Sequence, residues 1–425
     1  MQLSTRLSTQ LTAATEGVHL TYCTNIHAGE SWAEISASLD QTIPSIKAAL
    51  ALPAATPFGI GLRLSAQAAF SLIEPATLQA FQAQLARLGA YVFTINAFPY
   101  GPFHGVSVKE NVYLPDWRAP ERLDYSETCA RILAQLLPPG VAGSISTVPG
   151  AFKLSAQDGQ AGSSASVSAI VRNLLDAVVM LARLEQSSGK CITLALEPEP
   201  CCFLETVQET CDFFRQHLWA DAAVAQVAQA CNSSLPDAAD LIRRHLGVCY
   251  DVCHAAVEFE DPQASVQSLL DCGIGIAKIQ LSCALRIASM QAALLPALQR
   301  FDDGVYLHQT VVRQNDGSLL RFVDLPQALA AFVAGGARGE WRIHCHVPIF
   351  WQADELADAK PGASVLDSTL PDLRAVLQML RQRSVSPHLE VETYTWDVLP
   401  AHLKTESKAA AISRELAFIL RELQA

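Results

Sequence analysis

The feature that most restricts this chain is an alternation. Short runs rich in Val, Ile and Leu recur between longer Ala-, Leu- and Gln-rich stretches. Nine such runs stand out: "VHLTYCTN" (18–25), "GIGLRLS" (59–65), "YVFTINAF" (91–98), "GSISTV" (143–148), "CITLALE" (191–197), "LGVCYD" (246–251), "IAKIQLS" (276–282), "EWRIHCHV" (340–347) and "LEVET" (389–393). Short apolar runs of this kind suit strands buried on both faces, and strands alternating with helices build a mostly parallel sheet. "EPATLQAFQAQLARLGA" and "ASVSAIVRNLLDAVVMLARLEQ" carry the 3.6-residue apolar rhythm of covering helices, the first stopping at Gly89 as at a helix C-cap.

Nearly every run ends in polar or ring-bearing residues: Asn25, Arg63, Asn96, Glu197, Asp251, Gln280, His344 and His346, Glu392. A (β/α)8 barrel gathers its active site at the C-terminal ends of its strands, whereas a doubly wound sheet collects ligands at one switch point. The expected fold is therefore a (β/α)8 TIM barrel, one domain over residues 1–425. Nine runs for eight positions leave one outside the wall. Residues 304–325 read as a hairpin insertion turning at Asn315-Asp316-Gly317, and residues 155–168 and 353–368 read as long mobile loops.

Composition excludes some function classes. A net charge of −12, with 42 acidic against 30 basic residues, provides no basic face for nucleic acid. The polar start lacks a secretory apolar region, and no uncharged apolar stretch nears the roughly 18 residues of a membrane span. A soluble, cytoplasmic protein is expected. Twelve cysteines without a C-x-x-C pair read as reduced core thiols. With no G-x-G-x-x-G, Walker or G-x-S-x-G pattern, neither a nucleotide cofactor nor a serine nucleophile elbow is expected.

Four stretches carry chemistry. In "LALEPEP", Pro198 ends the strand just after Glu197, leaving a carboxylate that is solvated, or else paired, protonated or cation-bound. "YDVCH" brings Asp251 and His254 towards one point, an oxygen and a nitrogen donor for Zn, Mn, Co or Fe, with Cys249 and Cys253 as packing. "WRIHCHV" places His344 and His346 on one strand face, and "HLEVET" does the same for His388, Glu390 and Glu392. Glu390 could orient a histidine. "HLTYCTNIHAGESW" and "NAFPYGPFHG" mix rings, Pro and Gly with His19 and His104, as a ligand-pocket wall or a packed loop does. The candidate small-ligand contacts are His19, Asn25, Arg63, Asn96, His104, Gln280 and His344.

The order Glu, D-x-x-H, polar strand, Glu resembles the xylose isomerase-like TIM barrels: sugar isomerases, ketose epimerases and endonuclease IV. The resemblance implies that one divalent cation is held by a Glu, an Asp, a His and a Glu, with the two glutamates moving a proton beside a carbonyl. Glu197 matches the first Glu, Asp251 the Asp with His254 as companion, and Glu392 the last Glu. Gln280 stands where the family has its metal histidine, so His344 or His346 supplies that ligand if "WRIHCHV" is the seventh strand. Longer phrases, among them "FGIGLRLS", "SISTVPGAF" and "LEVETYTWDVLP", resemble the EboE family of TIM-barrel metabolite traffic proteins from about residue 19 to 403. That implies work on a secondary-metabolite precursor beside a prenyltransferase-like membrane protein of the same gene cluster. Two functions are expected to compete: a metal-dependent isomerase or epimerase of a small polyol or sugar-like compound, and a non-catalytic carrier that delivers a precursor to a membrane partner.

Overall fold

Seven of the apolar runs become consecutive parallel strands in the computed structural model, which describes residues 17–53, 56–153, 163–351 and 366–424. They are β1 (His19–Tyr22), β2 (Phe58–Arg63), β3 (Ala90–Asn96), β4 (Gly143–Thr147), β5 (Ile192–Leu196), β6 (Leu246–Asp251) and β7 (Ile276–Leu281). Five strands follow before the barrel resumes: β8 (Cys283–Ile287), β9 (Thr310–Arg313), β10 (Leu319–Phe322), β11 (Glu340–Val347) and β12 (Leu366–Ser368). The last strand, β13 (His388–Val391), completes an eight-stranded parallel sheet in the order β1-β13-β7-β6-β5-β4-β3-β2. Its ends meet through a parallel bridge between Cys23 and Gly61. Thr21 Oγ1 reinforces that seam, donating to the Gly59 carbonyl (2.8 Å) and accepting from the Gly61 N–H (3.0 Å). Gly61 has no room for a side chain, because a Cβ there would lie 1.6 Å from Glu390 Oε1 inside the barrel.

The fold is the expected (β/α)8 barrel. The eighth of the nine apolar runs is the extra one. β13 hydrogen-bonds directly to β7, which leaves "EWRIHCHV" no place in the wall. As β11 it joins an antiparallel sheet in the order β10-β9-β11-β8-β12, inserted between β7 and β13. The seventh barrel strand is "IAKIQL". In the inserted sheet, β9 and β10 pair antiparallel around Gly317, whose φ of 85° suits the turn.

Helices cover the outside as the periodicity demands. Helix Pro75–Leu88 ends at Gly89 with φ 58° and ψ 46°, the left-handed cap expected there. Helix Ser164–Ser188 is long and apolar enough, by length and composition, to cross a membrane, and it buries Ile170, Leu174, Val178 and Leu181 in the core. It begins inside the loop expected at 155–168: Ser163 caps it, accepting from the Ser166 N–H, and residues 154–162 lie outside the described residues. The loop expected at 353–368 also lies outside them, except that 366–368 form β12, paired to β8. All twelve cysteines are free thiols and most are buried.

Candidate functional site

Glu197, Asp251 and Glu392 meet at the C-terminal mouth of the barrel because β5, β6 and β13 end there together. One carboxylate oxygen from each lies within 4.8 Å of the others, as does one ligand atom each from Asp251, His254 and His346. Glu197 directly follows β5, its N–H still on the Thr147 carbonyl (3.1 Å) before Pro198 stops the ladder. Asp251 closes β6 and caps the helix Val252–Val257. Its Oδ1 accepts from the N–H groups of Cys253 (2.7 Å) and His254 (3.2 Å) and from the Ser282 hydroxyl (2.6 Å). That arrangement leaves Oδ2 buried without a hydrogen-bond partner, like Glu197 Oε2. Glu392 Oε1 is held by Asn25 Nδ2 (2.7 Å) and Asn96 Nδ2 (3.1 Å).

His344 and His346 arrive from outside the barrel wall, whereas His254 follows β6 directly. β11 is in register with β8 at Ile343 and again at Val347, with an irregularity between them, and His344 and His346 fall in that stretch. Each ring is fixed by an acceptor on Nδ1: Gln309 Oε1 for His344 (2.7 Å), the Glu392 carbonyl for His346 (2.8 Å) and the Pro198 carbonyl for His254 (2.9 Å). Gln309 is itself oriented, since its Nε2 donates to Glu199 Oε1 (3.1 Å) and the Pro200 carbonyl (3.2 Å). Acceptors on Nδ1 put the proton there, so a neutral ring turns its Nε2 lone pair inward. The Nε2 atoms of His344 and His346 are 3.1 Å apart, and Asp251 Oδ2 is 3.8 Å from His254 Nε2 and 3.9 Å from His346 Nε2. Lone pairs converging at such distances need a proton or a cation among them. The mixed nitrogen and carboxylate donors suit Zn, Mn, Co or Fe.

Electrostatics agree with that demand. Burial, then the charge of Asp251, pushes the Glu197 carboxyl up to about 8, and burial with Glu197 and Asp251 pushes Glu392 well above the carboxylate range. Burial also opposes charge on Asp251, but the His254 and His346 rings and Ser282 outweigh it and hold that carboxyl below its usual value. Burial pushes His346 down to about 4 and His344 well below its usual value, keeping both rings neutral. On His254, burial is outweighed by Asp251, Glu199 and Glu197, which raise it, so a proton and a cation compete for this ring.

These shifts set a pH dependence. Between the ordinary glutamate value of 4.5 and about 8, the metal-free native state keeps a proton on Glu197 that the unfolded chain has lost, so native stability falls as pH rises through that window. A cation that takes the proton's place binds more tightly as pH rises, by about 1.4 kcal/mol per pH unit for each proton displaced. The rise in melting temperature on adding Mn2+ or Co2+ is therefore expected to be larger at pH 8 than at pH 6. Equal shifts at both values would show that Glu197 does not bind the ion.

A cavity with about 530 Å3 of empty space opens over this cluster. Asn25, Asn96, Glu197, Glu199, His254, His344 and Glu392 line one part, and Phe98, Phe103, Tyr113, Tyr306 and Tyr394 much of the rest. Other residues expected at the site lie elsewhere. His19 begins β1, at the end of the barrel away from the mouth, bonded to the Tyr91 hydroxyl (2.8 Å). Arg63 anchors a loop through Glu30 (2.9 Å) and the Gly29 (3.1 Å) and Gly101 (2.9 Å) carbonyls. His104 supports the wall by bonding the Asn25 carbonyl (2.6 Å). Gln280 lies buried in register with Asp251 and Glu390, and neither amide atom has a hydrogen-bond partner. Glu390 orients no histidine. It pairs with Lys278 (2.5 Å) inside the barrel. Sequence reasoning missed Glu199, which accepts from the Tyr113 hydroxyl (2.6 Å), and missed Gln309. The repeat of Glu and Pro in "EPEP" was the available signal for Glu199.

No protein-family model matches the chain, and neither does any curated protein. Solved structures do. A xylose isomerase-like TIM barrel protein from Mycobacterium smegmatis, in complex with magnesium, superposes with a TM-score of 0.51 at 9% identity, over 96% of this chain and 97% of that one. At lower scores come IolI protein with a bound zinc atom (TM-score 0.43, 12% identity, 95% of this chain and 97% of that one) and D-psicose 3-epimerase in the presence of D-fructose (0.44, 11%, 95% and 97%). The likeness to the first of these agrees with the (β/α)8 barrel seen in the strand order.

Proposed function

We propose that this chain is a divalent-metal-dependent isomerase or epimerase of a small polyol or sugar-like compound, working on a secondary-metabolite precursor. The observation that carries this reading is the convergence of partnerless Glu197 Oε2 and Asp251 Oδ2 with Glu392 and inward-facing histidine nitrogens beneath one cavity. Glu197, Asp251, His254, His346 and Glu392 are the residues that would hold the ion. When bound, a divalent cation polarises a carbonyl or hydroxyl of the substrate. Glu197 is the group placed to remove or return a proton at the carbon beside the carbonyl. Glu392 is the second proton carrier, kept in place by Asn25 and Asn96. His344, Asn25 and Asn96 face the substrate, and the aromatic wall limits water around the reacting carbon.

The EboE-like phrases support a place beside a prenyltransferase-like membrane protein of the same gene cluster. Gln280, without polar partners where relatives would carry a ligand, favours a second reading: a carrier barrel that binds the metabolite without turning it over. Solvent exchange separates the two. With Mn2+ or Co2+ present in D2O, a panel of polyols and keto sugars is expected to yield at least one compound that gains deuterium next to its carbonyl. Compounds that bind but never exchange would favour the carrier.

A further inference from the structure

We propose a second cation site at the opposite end of the barrel, formed by Glu185, Cys191 and His245 and suited to a zinc-class ion. Three elements bring these residues together. Glu185 lies in the last turn of helix Ser164–Ser188, Cys191 immediately precedes β5, and His245 ends helix Leu235–His245 just before β6. β5 and β6 are neighbours, so their starts lie side by side. The carboxylate oxygen, the thiol sulfur and the ring nitrogen are within 4.8 Å of one another.

The histidine indicates the ion. His245 is fully buried, and its Nδ1 is 2.8 Å from the Ile192 carbonyl, which can only accept. A neutral ring thus carries its proton on Nδ1, and the Nε2 lone pair faces Glu185 Oε2 at 3.2 Å. Nε2 is buried with no hydrogen-bond partner. Two electron pairs at that separation need a positive centre between or beside them. A backbone carbonyl on the far nitrogen is also the usual way a metal-binding imidazole is oriented. The 3.2 Å separation suits two ligands that each lie about 2.0–2.2 Å from a tetrahedral ion. Sulfur and nitrogen donors favour zinc-class ions over magnesium or calcium. Glu185 and Cys191 are partly exposed, which gives access and a free coordination position. Binding moves the Cys191 thiol proton to solvent.

Arg244 Nη1 donates to the same Glu185 oxygen at 3.3 Å from a side chain that is 52% exposed, and a bound ion would replace that guanidinium on the carboxylate. The site would strap two helices to the starts of two strands at the face of the barrel where residues serve stability rather than catalysis.

Cobalt titration of the full-length protein tests the assignment through thiolate-to-cobalt charge-transfer absorption. The only other cysteine grouped with potential ligands among the described residues is Cys253, near His344 and His346. The absorption is expected to saturate stoichiometrically, survive Cys253→Ser and vanish in Cys191→Ser. Glu185→Gln and His245→Gln are each expected to weaken binding more than about tenfold. The proposal is overturned by no thiolate absorption, by absorption that survives Cys191→Ser, or by nitrogen NMR showing a doubly protonated His245 paired with Glu185 in the presence of the ion.

Discussion

Glu197→Gln is expected to lower turnover by roughly two to four orders of magnitude, the range found when a positioned acid or base is removed. Gln keeps the shape of the side chain and cannot carry the proton. The same substitution is expected to stabilise the metal-free protein at alkaline pH. In the parent, burial and Asp251 hold the carboxyl at about 8, so above that pH folding must bury a charge that the unfolded chain exposes to water. A neutral amide avoids that cost. Loss of activity together with a raised melting temperature above pH 8 marks a carboxylate kept for chemistry rather than for structure. If Glu197 served only to hold the mouth together, the variant would melt lower at every pH.

Lys278→Met is expected to cost about 3–5 kcal/mol of stability, as breaking a buried ion pair usually does. Lys278 Nζ is 2.5 Å from Glu390 Oε2 and 3.3 Å from Ser146 Oγ, with both charged side chains fully enclosed in the barrel. By strict hydrogen-bond geometry neither Glu390 oxygen has a partner. The separation nonetheless makes an ion pair, and Lys278 is correspondingly held above its ordinary pKa by Glu390 against the effect of burial. Removing the ammonium strands a carboxylate two residues before Glu392, in a wall already crowded with Glu197 and Asp251. The double variant Lys278→Met/Glu390→Met removes both charges and is expected to lose less than Lys278→Met alone. Urea midpoints for the parent, both single variants and the double variant decide the matter. Additive losses would show that the two side chains act separately.

The barrel was legible because strands buried on both faces must be short, apolar and bounded, and "CITLALE" or "LGVCYD" leave little else to be. The inserted sheet was less so. β8 follows β7 after Ser282 alone, so "IAKIQLSCALRI" reads as one run, and nothing local marks the change of sheet. β11 looked like a wall strand because it too is largely buried, yet its burial comes from an antiparallel sheet over the mouth.

Strand direction separates the residues gathered at the mouth from His19. Glu197, Asp251 and Glu392 stand at the ends of their strands, where a barrel gathers chemistry, whereas His19 stands at the start of β1. The contribution of β11 was open in the sequence, since "HCH" shows a shared face but not which sheet carries it. Gln309 was not legible at all: it reaches Glu199 and His344 through the inserted sheet, across 110 and 35 residues of chain.

The metal content of the full-length protein, purified without chelator or histidine tag, tests the central claim most directly. Mass spectrometry in a Cys191→Ser background counts the mouth of the barrel alone. A stoichiometric amount of Mn, Zn, Co or Fe, lost in Glu197→Gln/Asp251→Asn, is the expected result. No bound metal, even after incubation with excess cation, would contradict it.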